Sequence, residues 1–482
     1  MNSLVRRFSI LVAAALFAGL NACGGDSHDD REPNPVPETG VLSAGVITGF
    51  GSVHLNGVRY DTSGAQVSVN GAAAAESELR VGQFVQLKGH AHGVARHADV
   101  IRYHNLLEGP ITAIDAGASS FVALGQTVLV TSQTSLGDEI VPASIDGLAA
   151  GDVVEVSGLV STSGVVTATR VDIKPDGGPF DVTGYVSNLR PETSRFDLNA
   201  LVVDYSGANM EDFTAGQPAV GDLVLVKGSS FNGDGSFVAI RVELRSDDWL
   251  EPNAGDDLEI EGLISDFVAA TDFKVAGAPV TTTSATAYEH GTVADLANDV
   301  LVEVEGTANA AGVLVAIKVK FKENSEIRIV APIDEIVVAN GSIALLGLAV
   351  STDGDTRYED KSALALRTLA LADLVVGNWV DVRGYEEPAG SNAVTATRVV
   401  RIDSSDAVRL RGRYLAADQP AFRILSVPVA TGEATRFVLE DGIRLTSAEF
   451  FTLAPGQIVE VWGAWGAGVL AAERAEIKVN DD

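Results

Sequence analysis

The sequence predicts an all-β protein made of six tandem small barrels of the OB type, and three observations support that prediction. Apolar residues alternate over short runs rich in Val, Ile, Thr and Phe, which is the period of half-buried strands. A segment of the form V-x-V-x-G, with Leu87 in place of the second valine in the first copy, occurs six times. Its fixed glycines are 69 to 79 residues apart: Gly89, Gly158, Gly228, Gly306, Gly384 and Gly463. About five short strands per repeat, with glycine where the sheet must bend, favour a partly open OB-type barrel.

The spacing of the glycines divides the chain into repeats. We predict them at 42–104, 105–176, 177–250, 255–323, 324–405 and 406–482. Because a domain of this size buries only a modest share of its surface, neighbouring copies should pack on one another. The segment 246–257 is long and acidic enough to form a hinge. The segment 362–373 has the hydrophobic period of a short helix.

Each repeat ends in a hairpin whose first strand is the V-x-V-x-G segment. The two apolar residues of that strand share one face by the two-residue period and must face the core, whereas Glu155, Glu303 and Asp381 lie on the opposite face. After the turn, every copy has an alanine before the last apolar pair: Ala98, Ala168, Ala239, Ala316, Ala396 and Ala472. A strand position restricted to a small side chain indicates close approach of another strand.

The residues also resemble a known family. The stretch GVITGFGSVHLNGVRYDTSG at 45–64, followed by an L-x-x-G-x-x-V-x-V-x-G pattern, is similar to a bacterial repeat domain of unknown function found in secreted proteins and lipoproteins. The resemblance is close in the first copy and looser in the others, and it covers nearly all of residues 42–480. It implies an OB-like barrel and an envelope location, and it brings no catalytic residues.

The N-terminus has the features of a lipoprotein signal peptide at 1–22. Arg6 and Arg7 precede an apolar run too short to span a bilayer, and Leu20-Asn21-Ala22-Cys23 resembles a lipobox. Cys23 is therefore the expected site of lipidation, and Gly24 after it favours the outer membrane, facing either the periplasm or the surface. An ordinary secretory signal with a chance cysteine is the alternative. Residues 23–41 are polar and contain prolines, as is typical of a disordered tether.

Composition excludes several classes of function. The chain has 482 residues and a formal net charge of −31, so its surface would repel nucleic acid and we expect none as a partner. Its one cysteine rules out an intramolecular disulfide and thiol-rich metal or redox sites. We find no P-loop, dinucleotide fingerprint, HExxH or G-x-S-x-G motif, and we expect no catalytic residues and no cofactor.

Histidines in the first repeat are the candidate metal ligands. His90 and His92 are two residues apart, so they project to one side of a strand, and the hairpin brings His97 back alongside. Three neutral imidazoles could bind zinc, copper or nickel. The equivalent turn in the other copies is variable and polar, so surface histidines are the alternative interpretation.

The last repeat has two unusual tryptophans. Trp462 occupies the outward position that is a polar or charged residue in the other copies, and Trp465 follows in the turn. An outward tryptophan is costly to solvate unless it is covered. Packing on the preceding repeat or a terminal cap would cover it. The alternative is a stacking surface for a glycan or an envelope protein.

Three classes of function fit these features. A lipid-anchored binding or scaffold protein of the cell envelope, without enzymatic activity and of unknown ligand, requires nothing that the sequence lacks. A metal-binding or metal-delivery protein would use the histidines of the first repeat. An envelope enzyme would require convergent titratable groups, which the sequence does not reveal.

Overall fold

The computed structural model describes residues 38–174, 178–214, 216–245, 251–323, 325–388, 390–440 and 442–478. The predicted signal peptide, Cys23 and residues 23–37 of the predicted tether lie outside the described residues, as do residues 246–250 of the predicted hinge. No helix in the described ranges is long and apolar enough to cross a membrane.

The strands fall into six groups. The first group is β1 (Thr39–Gly49), β2 (Val53–Leu55), β3 (Val58–Tyr60), β4 (Gln66–Val69), β5 (Ala72–Ala74), β6 (Phe84–His92) and β7 (Ala95–Tyr103). The second is β8 (Leu107–Asp115), β9 (Ser120–Ala123), β10 (Gln126–Leu136), β11 (Val153–Val160) and β12 (Val166–Ile173). The third is β13 (Phe180–Tyr185), β14 (Ser187–Arg190), β15 (Arg195–Leu198), β16 (Leu201–Asp204), β17 (Asn209–Glu211), β18 (Leu223–Phe231) and β19 (Phe237–Leu244).

The other three groups follow the same order. The fourth is β20 (Asp257–Ala269), β21 (Asp272–Val275), β22 (Ala278–Thr281), β23 (Ala287–Glu289), β24 (Leu301–Ala308) and β25 (Leu314–Phe321). The fifth is β26 (Ile327–Pro332), β27 (Glu335–Val337), β28 (Ser342–Leu345), β29 (Leu348–Ser351), β30 (Arg357–Asp360), β31 (Trp379–Glu386) and β32 (Val394–Ile402). The sixth is β33 (Val408–Ala416), β34 (Ala421–Ile424), β35 (Val427–Ala430), β36 (Arg436–Leu439), β37 (Arg444–Leu445), β38 (Ile458–Gly466) and β39 (Val469–Lys478).

Each group forms a small barrel, which confirms the predicted all-β class. In the second repeat the ring β8–β9–β10–β12–β11 closes where β11 pairs with β8, and the fourth and sixth repeats close in the same way. In all six repeats a middle strand runs parallel to the last strand, as β10 does to β12. Apolar residues on the inward face of these strands form the barrel cores.

The predicted helix at 362–373 is wrong. Within it only residues 371–373 form a 3-10 turn, and the α-helix of the described chain is α1 (Ser447–Leu453). The cause is local hydrogen bonding together with a contact to repeat 1. The carboxylate of Asp360 accepts from the backbone N–H of Ser362 at 3.0 Å and of Leu366 at 2.7 Å, while the Arg367 guanidinium lies 3.6 Å from the Phe50 ring of repeat 1. The remaining 3-10 turns are Glu76–Glu78, Ile145–Gly147, Pro191–Thr193, Val293–Asp295 and Val338–Asn340.

The fixed glycines lie at a β-bulge in the closing hairpin of every repeat. The register of each hairpin shifts at that glycine, which then faces the alanine singled out above. A Cβ on any of the six glycines would lie 1.9–2.5 Å from a carbonyl oxygen of the facing strand. The close approach of a second strand, which the small residues predicted, is therefore confirmed. A β-bulge at each glycine accompanies it and changes the direction of the strand at the barrel corner.

Gly463→Ala should lower the free energy of unfolding by about 2 kcal/mol, because the new methyl group would overlap a backbone carbonyl that cannot move freely. Its Cβ would lie 1.9 Å from the Ala471 carbonyl oxygen, whereas a Cβ on Gly466 of the same strand would meet nothing within 4 Å. Urea denaturation of Gly463→Ala beside Gly466→Ala measures the difference. Equal stability of the two variants would contradict the steric role of the bulge.

The barrels join into three sheets, each made of two repeats. Repeats 2 and 3 join through antiparallel β8 and β13, and repeats 5 and 6 join in the same way through β26 and β33. Repeat 1 joins repeat 4 through parallel β1 and β20. Neighbours along the chain thus pair as expected in two cases, and in the third case the pairing passes over two intervening repeats.

The polar face of the closing hairpins is buried where repeats meet. Glu155, Glu303 and Glu460 are 6%, 2% and 4% exposed. Tyr103 of repeat 1 donates its hydroxyl to Glu155 of repeat 2 at 3.0 Å. The charged positions opposite the apolar pair therefore connect the barrels instead of facing water.

A second charged contact joins repeat 5 to repeat 2. The Glu359 carboxylate accepts from Ser135 Oγ of repeat 2 at 2.7 Å and from Arg398 Nε at 2.8 Å. Arg398 and Arg357 also donate to the carbonyl oxygens of residues 134 and 133, at 2.9 and 2.6 Å. Burial opposes ionisation, but Arg398 and Arg357 lower the pKa of Glu359 to about 2. The contact is held by a buried anion between the buried Arg357 and the largely buried Arg398.

Candidate functional site

A cavity of about 490 Å³ lies between repeats 1, 4 and 5. Its walls come from the turn after β2, from β20, β24 and β25, and from the loop before β30. Six acidic residues line it, Asp257, Glu259, Glu303, Glu305, Asp353 and Asp355, against three basic ones, Arg96, Lys318 and Lys320. The cavity is therefore a polar site with an excess of negative charge.

Two glycines bring repeats 1 and 5 together at the cavity wall. A Cβ on Gly354 would lie 2.7 Å from the carbonyl oxygen of Gly57. Beside this contact, Asn56 Nδ2 donates to the carbonyl oxygens of Ala44 and Glu259 at 3.0 and 3.1 Å. Asn56 thus ties the turn of repeat 1 to β20 of repeat 4 and fixes the shape of the cavity.

Strand alternation places the carboxylates on the cavity side. Val302 and Val304 of β24 face the barrel core, so Glu303 and Glu305 face away from it. Glu259 of β20 is the direct cross-strand partner of Glu305. Like charges in that relation destabilise a sheet, so these carboxylates need compensating cations.

Lysine side chains compensate the charges of these three carboxyl groups unequally. Lys318 forms an ion pair with Glu305, and Lys322 forms one with Glu303. Glu259 accepts a hydrogen bond from the Tyr60 hydroxyl at 3.3 Å. In the part of the chain that the structure describes, no cation forms an ion pair with Glu259.

The electrostatics follow from burial and from this crowding. Burial, with Glu303 and Glu305 nearby, raises the pKa of Glu259 to about 8. Burial also raises the pKa of Glu303 to about 7, although Lys322 opposes the rise. Burial and Glu259 raise the pKa of the Tyr60 hydroxyl, which therefore remains a hydrogen-bond donor. The site holds protons at neutral pH that a bound cation could replace.

Glu259, Glu303 and Glu305 are also the one group of described residues able to offer three metal ligands. Their carboxylate oxygens lie within 4.8 Å of one another. Oxygen ligands suit hard cations such as calcium. Two of the three carboxylates already have a lysine partner, so a metal ion would compete with those lysines.

The histidines predicted as metal ligands lie on the β6–β7 hairpin. His90 faces His97 across the strands, with ring centroids 5.1 Å apart and the rings stacked. The two ring nitrogens of His90 lie 3.1 Å from Asp99 and 3.4 Å from Glu38. His92 is exposed opposite Ala95 and does not converge with the other two. The structure brings together His90 and His97, and metal binding at this hairpin stays a prediction.

The two tryptophans of repeat 6 are half-buried against the protein itself. Trp462 lies between its cross-strand neighbours Arg409 and Arg474, each with its guanidinium carbon 4.9 Å from the ring centroid. Trp465 packs on the core shared by repeats 5 and 6, close to Gly347 of the preceding repeat. These contacts occupy the ring surfaces that a sugar would need, and partner binding there stays a prediction.

Sequence reasoning missed Tyr60, Glu259 and the carboxylates of β24 as a site. One signal was present: residues on the outward face of the V-x-V-x-G strand are often acidic, and the returning strand has a basic residue two positions after the fixed alanine in five copies: Arg170, Arg241, Lys318, Arg398 and Arg474. That pattern indicates a charged face. It does not indicate which repeats meet there, because repeats 1 and 4 are distant in sequence.

Fold and site together define a protein of tandem small β-barrels assembled through buried charged faces. Five segments, at residues 108–172, 183–243, 261–320, 331–400 and 414–476, match the family described as Domain of unknown function (DUF5666). The chain belongs to this family, which confirms the prediction of an uncharacterised repeat family. The matched segments are the second to sixth repeats, so the first repeat, where the resemblance looked closest, lies outside them. A search of curated proteins finds no match.

Proposed function

We propose that the chain is a lipid-anchored binding protein of the bacterial cell envelope, and that its ligand occupies the cavity between repeats 1, 4 and 5. The observation that carries the proposal is the 490 Å³ polar cavity built by three separate repeats. A concave site with a few convergent polar groups and perturbed carboxyls is the usual form of a small-molecule site. The proposal assigns no catalytic step to it.

The charges of the cavity favour a small amine as the ligand class. Glu259 is a carboxyl group surrounded by other carboxyl groups, which oppose its ionisation. A protonated amine supplies both a positive charge and up to three hydrogen-bond donors. Val58 and the exposed Ile317 line the same cavity and offer apolar contact to a short methylene chain. A compact diamine combines these properties.

The test uses 1,4-diaminobutane as the probe in calorimetric titrations at pH 8. The wild type should bind it saturably, and Glu259→Gln should weaken binding at least tenfold, because the neutral amide cannot pair with the ammonium group. Glu251→Gln, which alters an exposed glutamate in the segment just before the same repeat, is the matched control and should bind as the wild type does. Absence of wild-type binding, or equal binding by Glu259→Gln, would overturn this assignment.

Metal binding is the second candidate, favoured by the three convergent carboxylate oxygens. A calcium titration of the wild type and Glu259→Gln tests that group. The histidine prediction has its own test, in which zinc, copper and nickel are titrated into the wild type and into His90→Ala/His92→Ala. One-to-one binding that is lost in the double variant would establish the histidine site, and equal binding would remove it.

Lipid anchoring rests on the sequence around Cys23 and is tested separately. Cys23→Ala should remain unprocessed and unlipidated, because the thiol that accepts the lipid is gone. Labelling of cells with a radioactive fatty acid, followed by electrophoresis, measures both properties. Normal acylation of the variant would contradict the anchor.

A further inference from the structure

A row of four arginines crosses the outer face of the sheet formed by repeats 5 and 6. In strand order they are Arg398 on β32, Arg383 on β31, Arg328 on β26 and Arg411 on β33, and each is the direct cross-strand partner of the next. Adjacent strands lie about 4.8 Å apart, so the row is about 14 Å long. Like charges opposite one another destabilise a sheet, so this row requires negative charge around it.

The protein supplies only part of that negative charge. Asp381 accepts from Arg328 at 2.6 and 3.0 Å and lies 3.2 Å from Arg383. Glu359 pairs with Arg398 at one end of the row. Glu460 is the cross-strand partner of Arg411 on β38 and lies 3.7 Å from Arg328. Arg411, at the end of the row, forms no ion pair or side-chain hydrogen bond within the described residues, and its Nε is shielded from water without a partner.

The neighbouring row adds further positive charge. Arg409 and Arg474 flank Trp462 on β33, β38 and β39, on the same outer face. Burial, together with Arg328 and Arg398, lowers the pKa of Arg383 to about 10 even though Asp381 opposes the change. Arg409 and Arg474 pair with Glu460 and Glu476, as Arg398 does with Glu359. Six arginines on this face thus meet four carboxylates, and the face keeps an excess of positive charge on a chain whose formal net charge is −31.

We propose that Arg383, Arg328 and Arg411 of this row bind a short soluble anion that carries two or more phosphate groups. Arg398, at the other end of the row, is already held by Glu359 and by the carbonyl oxygen of residue 134. Guanidinium groups bind phosphate through two parallel hydrogen bonds, and a row of them matches several phosphates at once. The acidic remainder of the chain repels long polyanions, which limits the ligand to about the 10 Å between Arg383 and Arg411. Arg328 and Arg383 are only 21% and 17% exposed, so a compact anion reaches them and a flat lipid surface does not.

The test is a calorimetric titration of the full chain with sodium tripolyphosphate. The wild type should bind it one-to-one with an affinity that falls as salt is added, because the contact is electrostatic. Arg411→Gln should weaken binding at least tenfold. Arg423→Gln removes the same charge from an exposed arginine on β34 of the same repeat and should bind as the wild type does.

The controls separate loss of the site from loss of the fold. Arg411 has no internal ion pair to lose, so the variant without ligand should melt within a degree or two of the wild type, which thermal unfolding checks. Absence of saturable wild-type binding, or equal binding by Arg411→Gln, would overturn the proposal. Citrate that bound as tightly as tripolyphosphate would overturn the assignment to phosphate. These outcomes are independent of the amine site, which lies on repeats 1, 4 and 5.

Discussion

Replacing Glu359 by glutamine is expected to lower the free energy of unfolding by about 4 kcal/mol, because it leaves the buried Arg357 and the largely buried Arg398 without their shared anion. Glu359 is 6% exposed and receives hydrogen bonds from Ser135 of repeat 2 and Arg398 of repeat 5. Glutamine keeps the shape of the side chain and one acceptor oxygen, so the loss of stability measures the contribution of the negative charge. Urea denaturation at pH 7 gives the value, with the exposed Glu335→Gln of the same repeat as the control.

The pH dependence of this effect has a definite sign. The folded-state pKa of Glu359 is lowered from 4.5 to about 2, so the folded state binds the proton less tightly than the unfolded state does. Its stabilising contribution is therefore complete above pH 4.5 and is lost as the pH falls towards 2. The difference between wild type and Glu359→Gln should shrink over that interval. A difference that is absent at pH 7 would contradict a stabilising anion at this contact.

Glu259→Gln should have the opposite effect and stabilise the protein at pH 8 by about 3 kcal/mol, since each unit of pKa shift corresponds to about 1.4 kcal/mol and relaxation reduces the total. The pKa of Glu259 is raised from 4.5 to about 8 by burial and by Glu303 and Glu305. The folded state therefore binds the proton more tightly than the unfolded state does. The contribution of this group to stability is complete below pH 4.5 and is lost as the pH rises through 8.

The measurement compares urea denaturation of wild type, Glu259→Gln and Glu251→Gln at pH 5 and pH 8. Glu259→Gln should exceed the wild type clearly at pH 8 and by much less at pH 5, whereas Glu251→Gln should follow the wild type at both. A variant that is less stable than the wild type at pH 8 would show that the carboxylate supports the fold. The expected gain in stability with loss of amine binding is the trade-off typical of functional sites.

The affinity for the proposed ligand should also depend on the protonation state of Glu259. Because Glu259 must lose its proton to pair with an ammonium group, diaminobutane should bind more tightly at pH 8 than at pH 6. Titrations in two buffers of different ionisation enthalpy would measure the protons released. An affinity that does not change with pH would separate Glu259 from the ligand.

The pairing of repeat 1 with repeat 4 explains why the site lies where it does. The parallel pairing of β1 with β20 sets the turn at Asn56 beside Glu259, and the loop at Gly354 of repeat 5 then covers one side. A linear array in which each repeat met only its neighbours would contain no such cavity. The cavity is thus a property of the whole assembly and of no single barrel.

The sequence alone determined the all-β class, the repeat length and the role of the closing hairpin, because these depend on local period and on glycine. Strand alternation identified the core valines, and the fixed alanines indicated the close approach that the bulge at Gly463 and its equivalents provides. Local hydrogen bonds and a contact with repeat 1 overrode the helical period at 362–373. Histidine spacing pointed to the β6–β7 hairpin, where only His90 and His97 meet.

Tertiary structure decided which charged faces meet. Glu155, Glu303 and Glu460 have the same sequence pattern as solvated strand residues, yet all three are buried. Glu259 and Tyr60 are 199 residues apart and come together only because repeat 1 pairs with repeat 4. The local sequence pattern determines the fold of each barrel, because that fold depends on interactions over a few residues. The partner of each barrel depends on complementary charges and shapes that no local pattern contains.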